Sequence, residues 1–107
     1  MQIIIKYVEG LNTQNPDIIA ALFAEDAYLC DAAQRPFGGG VAICRGREEI
    51  RTFFQGIFDR FQVTSKLVVS FGRRAYYDVL LDNRMIPCIG TVIEENGLIA
   101  ELIVDPR

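Results

Sequence analysis

Asp26-Ala-Tyr-Leu-Cys-Asp31, then Ala32-Ala-Gln-Arg-Pro-Phe37 with the triple glycine Gly38, Gly39 and Gly40, then Gly46-Arg-Glu-Glu-Ile50: the reading of this stretch decides the fold. A short apolar run, Ala27 to Cys30, has the character of a strand, and the Pro/Gly segment after it cannot continue either regular element. Glycine is tolerated at a helix cap, and acids in the first turn favour the positive end of the helix dipole, so Gly46 opens a helix. The strand therefore delivers one carboxylate, Asp31, to the point where regular structure ends. Such an acid is either a loop-capping residue bonded to local amides or a base aimed inward from a rigid element.

Upstream, Ile3, Ile4, Tyr7, Val8 and Leu11 recur at the spacing of one helical face, which predicts a helix over residues 2–13. Asn15-Pro16-Asp17 supplies a capping side chain, a proline at the first helical position and an acid in the first turn. A second, short helix follows and is expected to stop near Glu25 and Asp26. Downstream of Gly46, the residues Ile50, Phe53, Phe54, Ile57, Phe58 and Phe61 form a broad apolar stripe on a third helix. From Val63 the period changes to two, with Val63, Leu67, Val69 and Phe71 expected on one face and a turn at Gly72-Arg73-Arg74. Strands over residues 75–82, 85–94 and 98–104 complete an antiparallel meander, the last two joined by Asn96-Gly97, a favoured pair for a tight hairpin. Pro87 cannot donate to a ladder, so its strand is expected at an edge or bulged there.

The chain has 107 residues, 14 acidic and 11 basic, with no histidine. That length supports one domain, residues 1–107, with a single core. No apolar run approaches the roughly 20 residues of a membrane span, and no cationic leader or transit composition is present, so a cytoplasmic, non-membrane protein is expected. The arginines and lysines form no basic stripe, which argues against nucleic acid. Absence of histidine removes the commonest neutral-pH base and a common metal ligand. Cys30, Cys44 and Cys88 are odd in number and widely spaced, as buried reduced thiols are, and no metal or cofactor is expected. Val68 and Val69, Leu80 and Leu81, and Leu102 and Ile103 cannot all face one core. The outer sheet face is therefore expected to be covered by a second copy in a homodimer.

Helix-turn-helix, an acid closing the first strand, a Gly-Arg-Glu-Glu-Ile helix opening and a closing meander together resemble the NTF2-like superfamily. That group includes the SnoaL-like polyketide cyclases and the ketosteroid isomerases. The resemblance rests on Lys6-Tyr7-Val8-Glu9, on Asn15 to Ile18 with Phe23 to Ala27, and on Gly46 to Ile50 with Phe53 and Phe54. It implies an α+β fold of the NTF2-like (cystatin-like) cone type, three N-terminal helices packed on a curved antiparallel sheet. Carried over residue by residue, the isomerase pattern puts a general base at Asp31 and an oxyanion-binding tyrosine at Tyr7. The isomerase's second oxyanion donor falls near Ile89, where this chain has no acid, and Phe23 and Phe54 replace supporting tyrosines. The resemblance thus implies an apolar cup lined by Phe54, Phe58, Phe23 and Ile89 for a small hydrophobic molecule. Either Asp31 moves a proton beside a carbonyl there, or the cup is a non-catalytic ligand-binding or dimeric interaction module.

Overall fold

The computed structural model describes residues 1–107. Three α-helices, α1 (Ile3–Gly10), α2 (Pro16–Ala20) and α3 (Arg47–Arg60), pack on one six-stranded sheet. Its strands are β1 (Phe23–Asp31), β2 (Ala42–Arg45), β3 (Val63–Phe71), β4 (Arg74–Leu81), β5 (Arg84–Glu95) and β6 (Leu98–Pro106). Their spatial order is β2-β1-β6-β5-β4-β3. All neighbours are antiparallel except β1 and β6, which pair in parallel. The sheet is therefore mixed, not wholly antiparallel as expected. The last strand returns to the middle of the sheet and joins the meander to the N-terminal hairpin.

Helix α2 begins as its sequence dictates, with the Asn15 side chain accepting from the Asp17 N–H at 2.9 Å and Pro16 following the cap. It ends at Ala20, earlier than the spacing predicted, because the sheet claims the next residues. The Ile99 N–H donates to the Leu22 carbonyl at 2.8 Å, and Phe23 pairs with Ile99, so Phe23 to Asp26 join β1 instead of extending the helix. Arg47 holds this strand from the other side, its Nε and Nη2 both donating to the Phe23 carbonyl at 3.0 and 2.7 Å. Gly46 adopts φ +90°, open only to glycine at little cost, and its N–H donates to the Ala27 carbonyl at 2.7 Å. Entry into α3 is thus tied to β1 through backbone and side chain together.

Strand β3 is an edge, and an unpaired edge invites association with other strands. Here two amides cover it. Asn12 Nδ2 donates to the Ser65 carbonyl and hydroxyl, while its Oδ1 accepts from the Ser65 N–H at 2.8 Å. Gln14 donates to the Phe58 and Phe61 carbonyls and accepts from the Val63 N–H, which fixes the end of α3 to the start of β3. Side chains thereby satisfy backbone groups that a further strand would otherwise pair.

Two expectations about the strands fail for local reasons. The β3/β4 register shifts between Leu67 and Val69, so the inward set is Val63 and Leu67, whereas Val69 pairs with outward Tyr76 and Phe71 with Arg74. One extra residue reverses the face of everything after it. Pro87 is not on an edge, since β5 pairs with both β4 and β6. Its carbonyl accepts from the Arg107 N–H at 3.1 Å, beyond the last residue of β6, so the absent donor faces the end of the neighbouring strand and interrupts no ladder bond.

The core lies between the helices and the inner sheet face. Ile4, Tyr7 and Val8 of α1 and Ile50, Phe54 and Phe58 of α3 meet Tyr77, Cys88, Leu102 and Val104. Gly90 belongs to this face, and a methyl group there would lie 3.2 Å from both the Ile4 and Tyr77 side chains, so α1 approaches the sheet where β5 has no side chain. Cys44 and Cys88 are buried, and Cys30 is half-buried on the outer face. That outer face carries exposed Val68, Val69, Phe71, Met85 and Ile93, so much of its apolar surface meets solvent in the single chain. No helix is long and apolar enough to cross a membrane.

Candidate functional site

Pairing of β1 with β6 places Asp31 beside Val104, on the same inward face as Leu29 and Leu102. Beneath it, helix periodicity directs Tyr7 inward from α1, where the residue is 2% exposed. The two side chains line one cavity of about 50 Å³, together with Phe54 of α3, Tyr77 of β4, and Ile86 and Cys88 of β5. All but two of the fourteen lining residues are hydrophobic, the exceptions being Asp31 and Gln34. A drug-sized site encloses roughly 300–1,000 Å³, so this cavity suits a ligand of few heavy atoms unless its walls move.

Asp31 also borders a second chamber of about 120 Å³, shared with Gln34 and formed by Gly39, Gly40, Ala42 and Phe53. The residues after Asp31 make a tight turn. The Ala33 N–H donates to Asp31 Oδ1 at 3.0 Å and the Ala32 N–H to the Val104 carbonyl at 2.8 Å. The capping role and the inward-facing role, alternatives in the sequence, are thus compatible: Oδ1 caps the turn, and Oδ2 takes no bond from the protein. Burial raises the Asp31 pKa above its ordinary 3.8, the Ala33 N–H opposes the rise, and the nearby Asp105 charge adds to it.

Tyr7 stands among aromatic rings. Its centroid lies 6.1 Å from Phe23, 6.1 Å from Phe54 and 6.4 Å from Tyr77, with interplanar angles of 85°, 70° and 79°. Phe23 and Phe54 therefore orient the ring edge-to-face and offer no hydrogen bond to its hydroxyl. Burial holds the Tyr7 pKa well above 10.0, with Asp31 and Cys88 adding and the Tyr77 hydroxyl acting in the opposite sense. Burial likewise holds Tyr77 well above 10.0, so both phenols remain protonated donors at neutral pH. The Cys88 thiol is pushed up to about 12, chiefly by burial, and donates to the Ile86 carbonyl at 3.4 Å. It is a neutral wall of the cavity and no nucleophile at neutral pH.

Of the residues expected to line a cup, Phe54 does so. Phe58 stands behind it, with ring centroids 6.0 Å apart, and Phe23 packs behind Tyr7, so neither reaches the cavity. Ile89 is on the wrong face: it pairs with Tyr76 and Asp105 on the outer side, while its neighbours Cys88 and Gly90 point in. Tyr77, Gln34 and Cys88 were not singled out as site residues. The alternation of Ala75, Tyr77, Val79 and Leu81 carried a signal for Tyr77, but apolar Leu80 beside Leu81 left the inward set ambiguous. Asp78 accepts from Arg107 Nη2 at 2.6 Å, and Arg107 also reaches the Tyr77 and Cys88 carbonyls. No group of three or more Cys, Asp or Glu side chains is arranged to hold a metal ion.

The family model for a SnoaL-like domain matches residues 4–101, nearly the whole chain. The chain belongs to the SnoaL-like family. This places it within the NTF2-like superfamily, with the ketosteroid isomerase-like proteins. Solved structures agree on the fold. A hypothetical protein of ketosteroid isomerase-like fold from Catenulispora acidiphila, in complex with trimethylamine, superposes with a TM-score of 0.76 at 17% identity, covering 97% of this chain and 84% of its own. A protein proposed to be a ketosteroid isomerase, from Kribbella flavida, gives 0.73 at 18% identity over 95% and 73% of the two chains. A proposed polyketide cyclase from Xanthomonas campestris gives 0.70 at 22% identity over 95% and 85%. No curated protein matches the sequence.

The half-buried, desolvated carboxylate of this SnoaL-like domain has a consequence for folding that needs no ligand. Because its folded pKa is raised, the stability associated with Asp31 is present in full below pH 3.8 and is lost as the pH rises through the folded value. Asp31→Asn keeps the acceptor for the Ala33 N–H and removes the charge. It is expected to raise the melting temperature at pH 7 by a few degrees and to give no gain near pH 3; equal or lower melting at pH 7 contradicts this.

Proposed function

We propose that this SnoaL-like domain moves a proton next to the carbonyl of a small hydrophobic compound, with Asp31 as the base and Tyr7 as a hydrogen-bond donor to the oxygen. The observation that supports this is that a carboxylate of raised pKa and a protonated phenol open into one small, otherwise apolar cavity. A raised carboxylate pKa makes a better proton acceptor, and an apolar lining strengthens the hydrogen bond to a developing enolate oxygen. Asp31 Oδ2, free of protein donors, takes the α-proton. The C–H pair becomes the enolate double bond, the charge passes to oxygen under the Tyr7 hydroxyl, and the proton returns at the same or a conjugated carbon. The catalytic residues are then Asp31 and Tyr7, and Phe54 forms an apolar wall. The cavity's size favours small ketones over steroids or polycyclic substrates.

That same size supports a second reading, a non-catalytic cup for a molecule of a few heavy atoms. A protein of this fold is in complex with trimethylamine, which makes that amine a suitable probe. In deuterated buffer, the catalytic reading expects acetone or cyclopentanone to exchange α-protons faster with the protein than without it. It expects Asp31→Asn to lower that rate by about 10²–10⁴-fold. Trimethylamine binding in calorimetry, with no ketone exchange by the wild type, favours the cup instead.

We further propose that two copies pair through the outer sheet face, where Val68 and Phe71 are 55% and 46% exposed. Covering such side chains releases about 25 cal/mol per Å² of apolar surface. Light scattering at micromolar concentration is expected to give twice the chain mass, falling to one chain mass for Phe71→Lys; a monomeric wild type contradicts the pairing.

A further inference from the structure

The mechanism above uses one hydroxyl of the cavity and leaves another unexplained. Tyr77 is 1% exposed, its side chain projects from β4 into the same cavity, and its ring stands at 79° to that of Tyr7. A buried phenol in an otherwise apolar core carries a desolvation cost that phenylalanine would avoid. Arg107 reaches the backbone carbonyl of Tyr77, and no backbone group bonds its hydroxyl; the polar group it meets is the Tyr7 hydroxyl. Two donors from different elements, α1 and β4, therefore converge inside one cavity beside a carboxylate.

Room for this arrangement comes from β5. The inward position opposite Ala75 is Gly90, and a methyl group there would lie 3.2 Å from Tyr77 Cε1 and 3.2 Å from Ile4 Cδ1. Contacts at that distance force a neighbour to move by a few tenths of an ångström. The φ of Gly90 is not in the left-handed region, so turn geometry gives no reason for glycine. Its lack of a side chain lets the Tyr77 ring and helix α1, which carries Tyr7, approach the same point.

We propose that Tyr77 is a second catalytic hydrogen-bond donor, sharing the substrate's carbonyl oxygen with Tyr7, and that Gly90 is a positioning residue for it. This rests on the proton-transfer reading and narrows its substrate to compounds whose oxygen accepts two hydrogen bonds within the cavity, as a ketone does with its two lone pairs. As Asp31 removes the α-proton, the C–H electron pair moves into the new double bond and the carbonyl π pair moves onto oxygen. Both phenols keep their protons and shorten their bonds to that oxygen, then relax when the proton returns to carbon. No electrons leave the substrate and no co-reactant is consumed.

Infrared difference spectra of [2-¹³C]acetone bound to the protein test the donor pair apart from turnover. Wild type is expected to shift the carbonyl band to lower wavenumber, with Tyr77→Phe and Tyr7→Phe each restoring part of the shift and the double variant nearly all of it. Gly90→Ala, with Tyr77 intact, is expected to restore part of the shift as well, which loss of packing alone would not do while acetone stays bound. Exchange of acetone α-protons should fall about 100-fold in Tyr77→Phe, the usual effect of losing one such donor, with little change in half-saturation. A bound carbonyl band that Tyr77→Phe leaves in place overturns the second donor while leaving the Tyr7 reading standing. Absence of any shifted band in wild type overturns the carbonyl reading of the site, and the second donor with it.

Discussion

Parallel pairing of β1 on β6 is the contact on which the rest of the site depends. It joins the two ends of the chain at the centre of the sheet, sets Asp31 beside Val104, and lets the Val104 carbonyl anchor the turn at Ala32. Shifting that register by one residue would send Asp31 outward, turn Cys30 inward in its place and leave the cavity with no charge. The start of α3 supports it from the side away from β6: Arg47 grips the Phe23 carbonyl, and Gly46 bonds the Ala27 carbonyl. Helix α3 therefore contributes Phe54 to the cavity wall while fixing the strand that carries the carboxylate.

Desolvating a carboxylate that has one hydrogen-bond donor is unfavourable for folding, and the same environment raises its proton affinity above that of an ordinary aspartate. The tyrosines follow the opposite rule. Burial keeps Tyr7 and Tyr77 protonated, so they cost stability only through desolvation and remain donors throughout the physiological range. One ionisable acceptor and two persistent donors thus line a single, otherwise apolar chamber, the combination on which the proposed proton transfer rests. The small cavity sets the scale of what can enter, and the chamber under Gly39 and Gly40 gives Asp31 a second opening.

Most of the architecture was legible in the sequence because its elements obey local rules. The Asn15-Pro16 cap, the acids after Gly46, the α1 and α3 stripes and the Asn96-Gly97 hairpin each announce an element through chemistry within a few residues. What was not legible depends on partners distant in sequence. Phe23 belongs to a strand because Ile99 pairs with it, Val69 and Phe71 turn outward because of an extra residue opposite β4, and Pro87 is harmless inside the sheet because β6 ends beside it. The site divides in the same way. Asp31 could be placed from the end of its strand and Tyr7 on the inward helix face, with the oxyanion role of Tyr7 implied only by the resemblance, whereas Ile89 was assigned to the wrong face and Tyr77 was not singled out. Both faces of β4 and β5 are apolar, so alternation alone does not say which residues point in.

The proposed chemistry requires first that desolvation at the cavity raises the pKa of the half-buried Asp31 carboxylate. A carboxyl-carbon NMR titration of ¹³C-labelled protein, with Asp31 assigned by its loss in Asp31→Asn, measures this directly. The account predicts a midpoint above the ordinary 3.8. A midpoint at or below 3.8 would mean that the turn amides and solvent outweigh burial, and the carboxylate would be a loop cap and nothing more.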